Sequence, residues 1–211
     1  TGMHGFAHKG QPLEVATQTM VYTREGVERA IRYAFHLAET RERPAGREAQ
    51  VTLIDKANAV RAHDLWQRVF AEVAKEHPGI KTDHAYIDAA CMWMVKNPEW
   101  FDVAVTPNLF GDIITDLGAM IQGGMGMAAS GNIHPGRVSL FEPIHGSAPK
   151  HAGKNVASPL AAIMAAGMML DYLGEKTAAT AIDRSIADLF ADGRLQGAGT
   201  GMHPTNEVGD L

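Results

Sequence analysis

Apolar positions in this chain follow two periods that alternate along its length. A helical period runs through Val27, Ala30, Ile31, Ala34, Phe35 and Ala38, with Thr23 placed to cap its start and Arg41 and Arg43 suited to its far end. Beyond a polar stretch holding Pro44 and Gly46, Val51-Thr52-Leu53-Ile54 reads as a buried strand that ends at Asp55-Lys56. Asp64 is placed to cap a second helix through Leu65, Val69, Phe70 and Val73, stopped by Pro78-Gly79. Ile80-Lys81-Thr82 reads as a short strand, residues 86–95 as a helix, and residues 101–106 as a buried strand bounded by Pro107. If the next helix opens near Gly111, Asp112 and Asp116 lie one above the other on one face. Gly118, Gly123, Gly124, Gly126 and Gly131 then interrupt an apolar segment, which predicts backbone turns or close approaches. Val138-Ser139-Leu140-Phe141 is a strand candidate, residues 159–172 a nearly all-apolar and therefore buried helix, and residues 178–190 a last helix. Alternating strands and helices predict an α/β architecture. The change of texture near residues 117–125 marks a domain crossing.

Composition narrows the function classes. The 211 residues are 45% hydrophobic and 20% charged, an ordinary globular composition. A net charge of −5 without a basic block argues against nucleic acid as a partner. The single cysteine, Cys91, excludes a disulfide framework within the chain and suits a reducing cytoplasm. No apolar run approaches the ~20 residues that span a bilayer, and the first residues carry no signal-peptide pattern.

Several positions can carry chemistry. Asp112 and Asp116, at the mouth of a parallel sheet, suit a hard octahedral ion such as Mg²⁺ or Mn²⁺. The helix dipole alone also favours acids there. Lys56 stands at the C-terminal end of a predicted strand, where open α/β sheets gather ligands. It reads either as a proton shuttle or as a solvated strand-end lysine. Asp88 lies among apolar neighbours in Ile87-Asp88-Ala89-Ala90-Cys91-Met92, so it is paired, metal-bound, or on a half-exposed helix start. The run Glu142-Pro143-Ile144-His145-Gly146-Ser147-Ala148-Pro149-Lys150-His151-Ala152-Gly153-Lys154 suits a fixed loop that approaches a polar ligand, or a structured surface loop. His4, His8, His36, His63, His77, His134 and His203 show no ligand-pair spacing and read as surface or locally bonded residues.

Four segments together resemble the β-decarboxylating dehydrogenase family. They are Asp55-Lys56-Ala57-Asn58, Tyr86-Ile87-Asp88, the run from Asn108 through Asp112 to Asp116, and Phe141-Glu142-Pro143-Ile144-His145-Gly146-Ser147-Ala148-Pro149. The resemblance covers nearly the whole chain. It implies that Asp112 and Asp116 bind Mg²⁺ or Mn²⁺, that Asp88 from a partner subunit completes the site, and that Lys56, also reaching across the dimer, is the catalytic lysine. It implies that Glu142, His145, Gly146, Ser147 and Ala148 belong to the loop that binds NAD. Lys150 stands where NAD-dependent members commonly carry an acid for the ribose 2′-hydroxyl, and a lysine there suits the 2′-phosphate of NADP. Ser158 stands where the family has an asparagine before this proline, at the adenine contact.

The implied fold is two-domain, with residues 1–122 the smaller dimer-forming and metal-binding domain and residues 123–211 the C-terminal part of the cofactor domain. The implied activity is metal-dependent, NAD(P)-linked oxidation and decarboxylation of a small 2-hydroxy acid by a homodimer. Asp55-Lys56-Ala57-Asn58 favours 3-isopropylmalate, within leucine biosynthesis; isocitrate, homoisocitrate and tartrate are the alternatives. By this resemblance the chain starts late. The family's catalytic tyrosine falls just before Thr1, a rival register puts His4 there, and Tyr22 lies too far along. The polypeptide by itself is therefore expected to show no turnover, and a dimerising or ligand-binding remnant is the contrasting reading.

Overall fold

The computed structural model describes residues 2–211, and of residues 2–4 the backbone only. The expected tyrosine ahead of Thr1 and the alternative register through the His4 side chain fall outside the described residues. The chain forms two compact units, Thr1–Ile114 and Thr115–Leu211. The division falls inside a helix, upstream both of the change in texture near residues 117–125 and of the 122/123 boundary that the family resemblance implies.

The first unit opens with an antiparallel hairpin of β1 (Gly2–Ala7) and β2 (Val15–Met20), closing at the Ala7–Val15 pair. No strand is legible here in the sequence, because β2 buries neither face and so leaves no alternation to read. Helix α1 (Arg24–Thr40) starts as expected, with the Thr23 hydroxyl accepting the Gly26 N–H at 3.2 Å. Next come β3 (Gln50–Asp55), α2 (Asp64–Ala74), β4 (Lys81–Tyr86), α3 (Ile87–Lys96), β5 (Val103–Val105) and α4 (Asn108–Ile121). The three strands form a parallel sheet in the order β4-β3-β5.

Strand β3 is central and buried on both faces, which is why its apolar residues do not alternate with exposed polar ones and Thr52 within them is buried too. Val51 and Leu53 face α1 and α2, packing with Phe35, Val69, Phe70 and Val73. Ile54 faces the other way, onto Ile87, Ala90 and Ile114 of α3 and α4. Helices thus cover both faces, the arrangement a parallel sheet requires.

Two local expectations need correction. Asp64 is the first residue of α2 and does not cap its start; the N-cap is His63, and the Asp64 carboxylate instead accepts from Arg68 at 2.8 Å. Helix α4 opens at Asn108, three residues before Gly111, because the Pro107 carbonyl accepts the N–H groups of Phe110 and Gly111.

The N-terminal edge of the sheet is fastened by charge. Asp102, whose side chain is only 4% exposed, accepts from Arg43 Nε at 2.8 Å and from the Gln50 N–H at 3.2 Å, with Arg41 Nη1 also at 3.2 Å. Burial alone would push its carboxyl up; the Arg43 and Gln50 hydrogen bonds outweigh burial and hold it below the usual carboxylate range. Arg41 and Arg43, placed in the sequence at the far end of α1, thus tie that end to β3 and β5.

The second unit holds an antiparallel pair, β6 (Ala129–Asn132) and β7 (Leu140–Pro143), with helices α5 (Leu160–Tyr172), α6 (Lys176–Ala191) and α7 (Thr205–Asp210). Strand β7 begins later than the 138–141 run, leaving Val138 91% exposed, and β6 arises within the glycine-interrupted stretch, where no strand is expected. Helix α5 is not buried all round: Leu160, Ala161, Ala165 and Gly167 are inside, while Met168 and Met169 are exposed. Its core is Leu160 with Ile186, Leu189, Leu195, Ala198 and Val208. Among the described residues no helix is long and apolar enough to cross a membrane.

Candidate functional site

Because β3, β4 and β5 are parallel, their C-terminal ends open on one edge, and the candidate residues emerge there. Lys56 directly follows β3, Asp88 is the second residue of α3 beyond β4, and α4 begins three residues after β5. Lys56 Nζ lies 2.5 Å from Asp88 Oδ1. The Lys56 ammonium, helped by backbone N–H groups at the start of α3, holds the Asp88 carboxyl below its usual range. Neither reading of the sequence put these two side chains together within one chain.

Helix α4 carries Asp112 and Asp116 at positions i and i+4, neighbours on one helical face. Asn108 Nδ2 donates to Asp112 Oδ2 at 3.0 Å, orienting that carboxylate one turn into the helix. The donor set is all oxygen, as Mg²⁺ and Mn²⁺ prefer. Among the described residues, no three His, Cys, Asp or Glu side chains converge where one ion could sit. The described residues of one chain therefore supply no complete set of ligands for an ion.

Behind Lys56 runs a chain of polar contacts with no anticipated role. His63 is fully buried, which corrects its reading as a surface residue, although it is locally bonded as expected. Its Nδ1 accepts the Lys56 N–H at 3.1 Å and its Nε2 lies 3.1 Å from the Tyr22 hydroxyl. Burial pushes its imidazole pKa down, against a smaller upward pull from Asp55. Asp55 is also fully buried: Oδ1 accepts the Ala57 N–H at 2.9 Å, and His84 Nε2 lies 3.2 Å from Oδ2 without hydrogen-bond geometry. The available signal for His63 was position, an imidazole directly before a helix and seven residues beyond the lysine.

In the second unit the candidate cofactor residues occupy β7 and the loop after it. Glu142 lies in β7 and accepts from Asn132 at 3.4 Å, and His145 Nδ1 contacts the Gly146 carbonyl at 3.0 Å. Gly146, Ser147, Ala148 and Lys150 are exposed. Ala148 adopts φ 42° and ψ 61°, a left-handed conformation that costs a residue with a Cβ and is typical of ligand-holding loops. Lys150 lies in the single 3₁₀ turn Pro149–His151 that follows. The Ser158 hydroxyl donates to the Gly126 carbonyl at 3.2 Å and accepts the Leu160 N–H at 3.4 Å, so it braces the start of α5. A Cβ at Gly126 would collide with the Ala198 carbonyl and crowd Ser158, which explains that glycine.

A parallel sheet with helices on both faces, and a lysine–carboxylate pair at its C-terminal edge, defines an open α/β fold class. More narrowly, the chain belongs to the isocitrate/isopropylmalate dehydrogenase family, whose model matches residues 2–210. It is 48% identical over 212 aligned residues to the 3-isopropylmalate dehydrogenase of Thermobifida fusca, covering 99% of this chain and 58% of that protein. With the 3-isopropylmalate dehydrogenase of Frankia casuarinae the identity is 46%, over 99% of this chain and 60% of that one. A crystal structure of isocitrate dehydrogenase from Methylococcus capsulatus superimposes with TM-score 0.86 at 40% identity, covering 99% of this chain and 61% of that chain. The TT0538 protein from Thermus thermophilus superimposes with TM-score 0.83 at 36% identity, covering 99% and 41%. The chain thus spans about three-fifths of the curated relatives' length.

Proposed function

We propose that this chain carries the metal-binding, lysine and cofactor-contacting parts of an enzyme that oxidises and decarboxylates 3-isopropylmalate. The observation that carries the reading is the Lys56–Asp88 contact, formed by residues 32 apart in sequence at one edge of a parallel sheet. The named relatives supply the substrate.

In this reading Asp112 and Asp116 of one copy and Asp88 of a second copy hold Mg²⁺ or Mn²⁺, which supplies Lewis-acid stabilisation of charge on the substrate oxygens. The outer faces of α3 and α4 support the pairing of copies. On α3, Asp88 heads an exposed stripe that continues through Met92 and Val95 at helical spacing; on α4, Leu109 and Ile113 are exposed beside Asp112. Apolar side chains on those stripes bury one another in a homodimer while the acids at their ends come within reach of a shared ion. Since Lys56 and Asp88 are in contact within one chain, the lysine arrives at the second copy's acids together with the carboxylate. There Lys56 Nζ holds or relays the proton at the substrate oxygen.

The loop from His145 to Ala148 takes the adenosine side of NAD, with Glu142 at its base and Ser158 bracing the helix beside it. Lys150 would hold the ribose 2′ side, where its charge would also suit the 2′-phosphate of NADP. A second reading, isocitrate as substrate, is favoured by the superposition on isocitrate dehydrogenase at 40% identity.

The test uses the complete gene product with Mn²⁺ and NAD. NADH formation from 3-isopropylmalate is expected to exceed that from isocitrate, and Lys56→Ala to lower kcat by roughly 10²–10⁴-fold. A Lys56→Ala enzyme with the unsubstituted rate would sink the assignment, and a preference for isocitrate would select the second reading.

A further inference from the structure

We infer that His63 is a positioning residue for Lys56, acting through the lysine's backbone; the inference rests on the reading of Lys56 as catalytic. A backbone N–H can only donate, so the 3.1 Å contact from Lys56 N fixes Nδ1 of His63 as an unprotonated acceptor. The ring proton then sits on Nε2, which donates to the Tyr22 hydroxyl at 3.1 Å. The Tyr22 hydroxyl in turn has Met20 Sδ at 3.6 Å. Three edge-on ring contacts hold the pair in place: Tyr22 stands at 71° to His63 and 86° to Trp66, and Phe110 of α4 stands at 87° to His63.

The other backbone groups around Lys56 are bonded too. Its carbonyl accepts the N–H groups of Ala59 at 2.9 Å and Val60 at 2.7 Å, and the buried Asp55 carboxylate accepts the next N–H, that of Ala57, at 2.9 Å. Of the groups that fix this turn, His63 is the one that reaches it from outside, across seven residues. Without it the Lys56 N–H loses its acceptor, and the turn is held only by its own local bonds and the end of the strand pairing. Nζ then loses its 2.5 Å placement against Asp88. A misplacement of about an ångström at a reacting group costs on the order of 100-fold in rate, and supporting hydrogen bonds of this kind hold such placement.

The experiment compares Lys56→Ala, His63→Leu and His63→Asn in the complete gene product, reading kcat and KM for 3-isopropylmalate with NAD and Mn²⁺. His63→Leu removes both ring nitrogens; its kcat should fall at least about 10-fold with KM held within about twofold. His63→Asn places Oδ1 where Nδ1 stood, one bond from Cγ, and should recover kcat to within about threefold, the worth of one hydrogen bond. If Lys56→Ala is inactive while His63→Leu keeps the full kcat, or His63→Asn does no better than His63→Leu, His63 does not position the lysine. If Lys56→Ala is fully active, the reading beneath falls and this one with it. Should His63→Leu fail to fold, long-range ¹H–¹⁵N correlation on the unsubstituted protein decides. It should show a neutral ring protonated on Nε2, and a proton on Nδ1 would overturn the inference.

Discussion

Replacing Asp102 with alanine should destabilise the first unit without touching its chemistry. The carboxylate is 4% exposed and faces three donors, Arg43 Nε at 2.8 Å, the Gln50 N–H at 3.2 Å and Arg41 Nη1 at 3.2 Å. Arg43 is itself only 14% exposed, so its loss of partner lies near the buried-pair limit; Arg41 is 44% exposed and adds little. Together with the orphaned Gln50 N–H the cost is roughly 3 kcal/mol. In urea this amounts to a midpoint shift of roughly 1.5 M at the slopes usual for domains of this size. The readout is clean, because all three tryptophans, Trp66, Trp93 and Trp100, lie in the first unit, so their fluorescence follows that unit alone. Asp102→Asn, which keeps an oxygen acceptor but loses the charge, should shift the midpoint by about half as much. The six-residue strand β3 separates Asp102 from Lys56 by about 20 Å at the usual rise per residue, so turnover per folded molecule should not change. A midpoint shift below about 0.5 M for Asp102→Ala, or lost turnover with no shift, would refute the reasoning.

Cofactor choice and pH give two more tests. Lys150→Asp in the complete gene product should lower NADP use relative to NAD, measured as the ratio of kcat/KM values; an unmoved ratio would remove Lys150 from the cofactor assignment. The depressed pKa of buried His63 means that the unfolded chain takes up the proton first as pH falls. Its contribution to stability is therefore complete above about pH 6.5 and declines below that, toward the lower folded value. Tryptophan-monitored urea midpoints should fall as pH drops below about 6.5, and more gently in His63→Asn, which has no ring to protonate. Equal slopes for the two proteins would contradict the burial argument.

What the sequence made legible depended on whether a residue's role was local. The Thr23 cap, the α1 stripe and the β3 run follow from short-range periodicity, and each stands where that periodicity puts it. The hairpin of β1 and β2 left no trace because β2 buries neither face, and β6 was hidden by the glycine of Ala129–Asn132. Lys56, Asp88, Asp112 and Asp116 were visible as residue types at strand and helix ends. The spacing of four also put Asp112 and Asp116 on one helix face, but the Lys56–Asp88 contact was not visible, because it depends on which strands become neighbours. Tyr22 and His63, 41 residues apart, belong to the same class of information. Each is ordinary in its own window, and only tertiary packing joins them. Asp64 shows the converse, a residue type favoured at caps whose place is taken one step earlier by a histidine with other obligations.

Asp88 sharing one outward stripe with Met92 and Val95 has a thermodynamic consequence for the proposed pairing. The same few square nanometres then serve as adhesive and as coordination sphere, so two equilibria that are separate in most enzymes become one. Adding Mn²⁺ would tighten the association of copies, concentrating the protein would raise its apparent affinity for the ion, and a chelator would do the work of dilution.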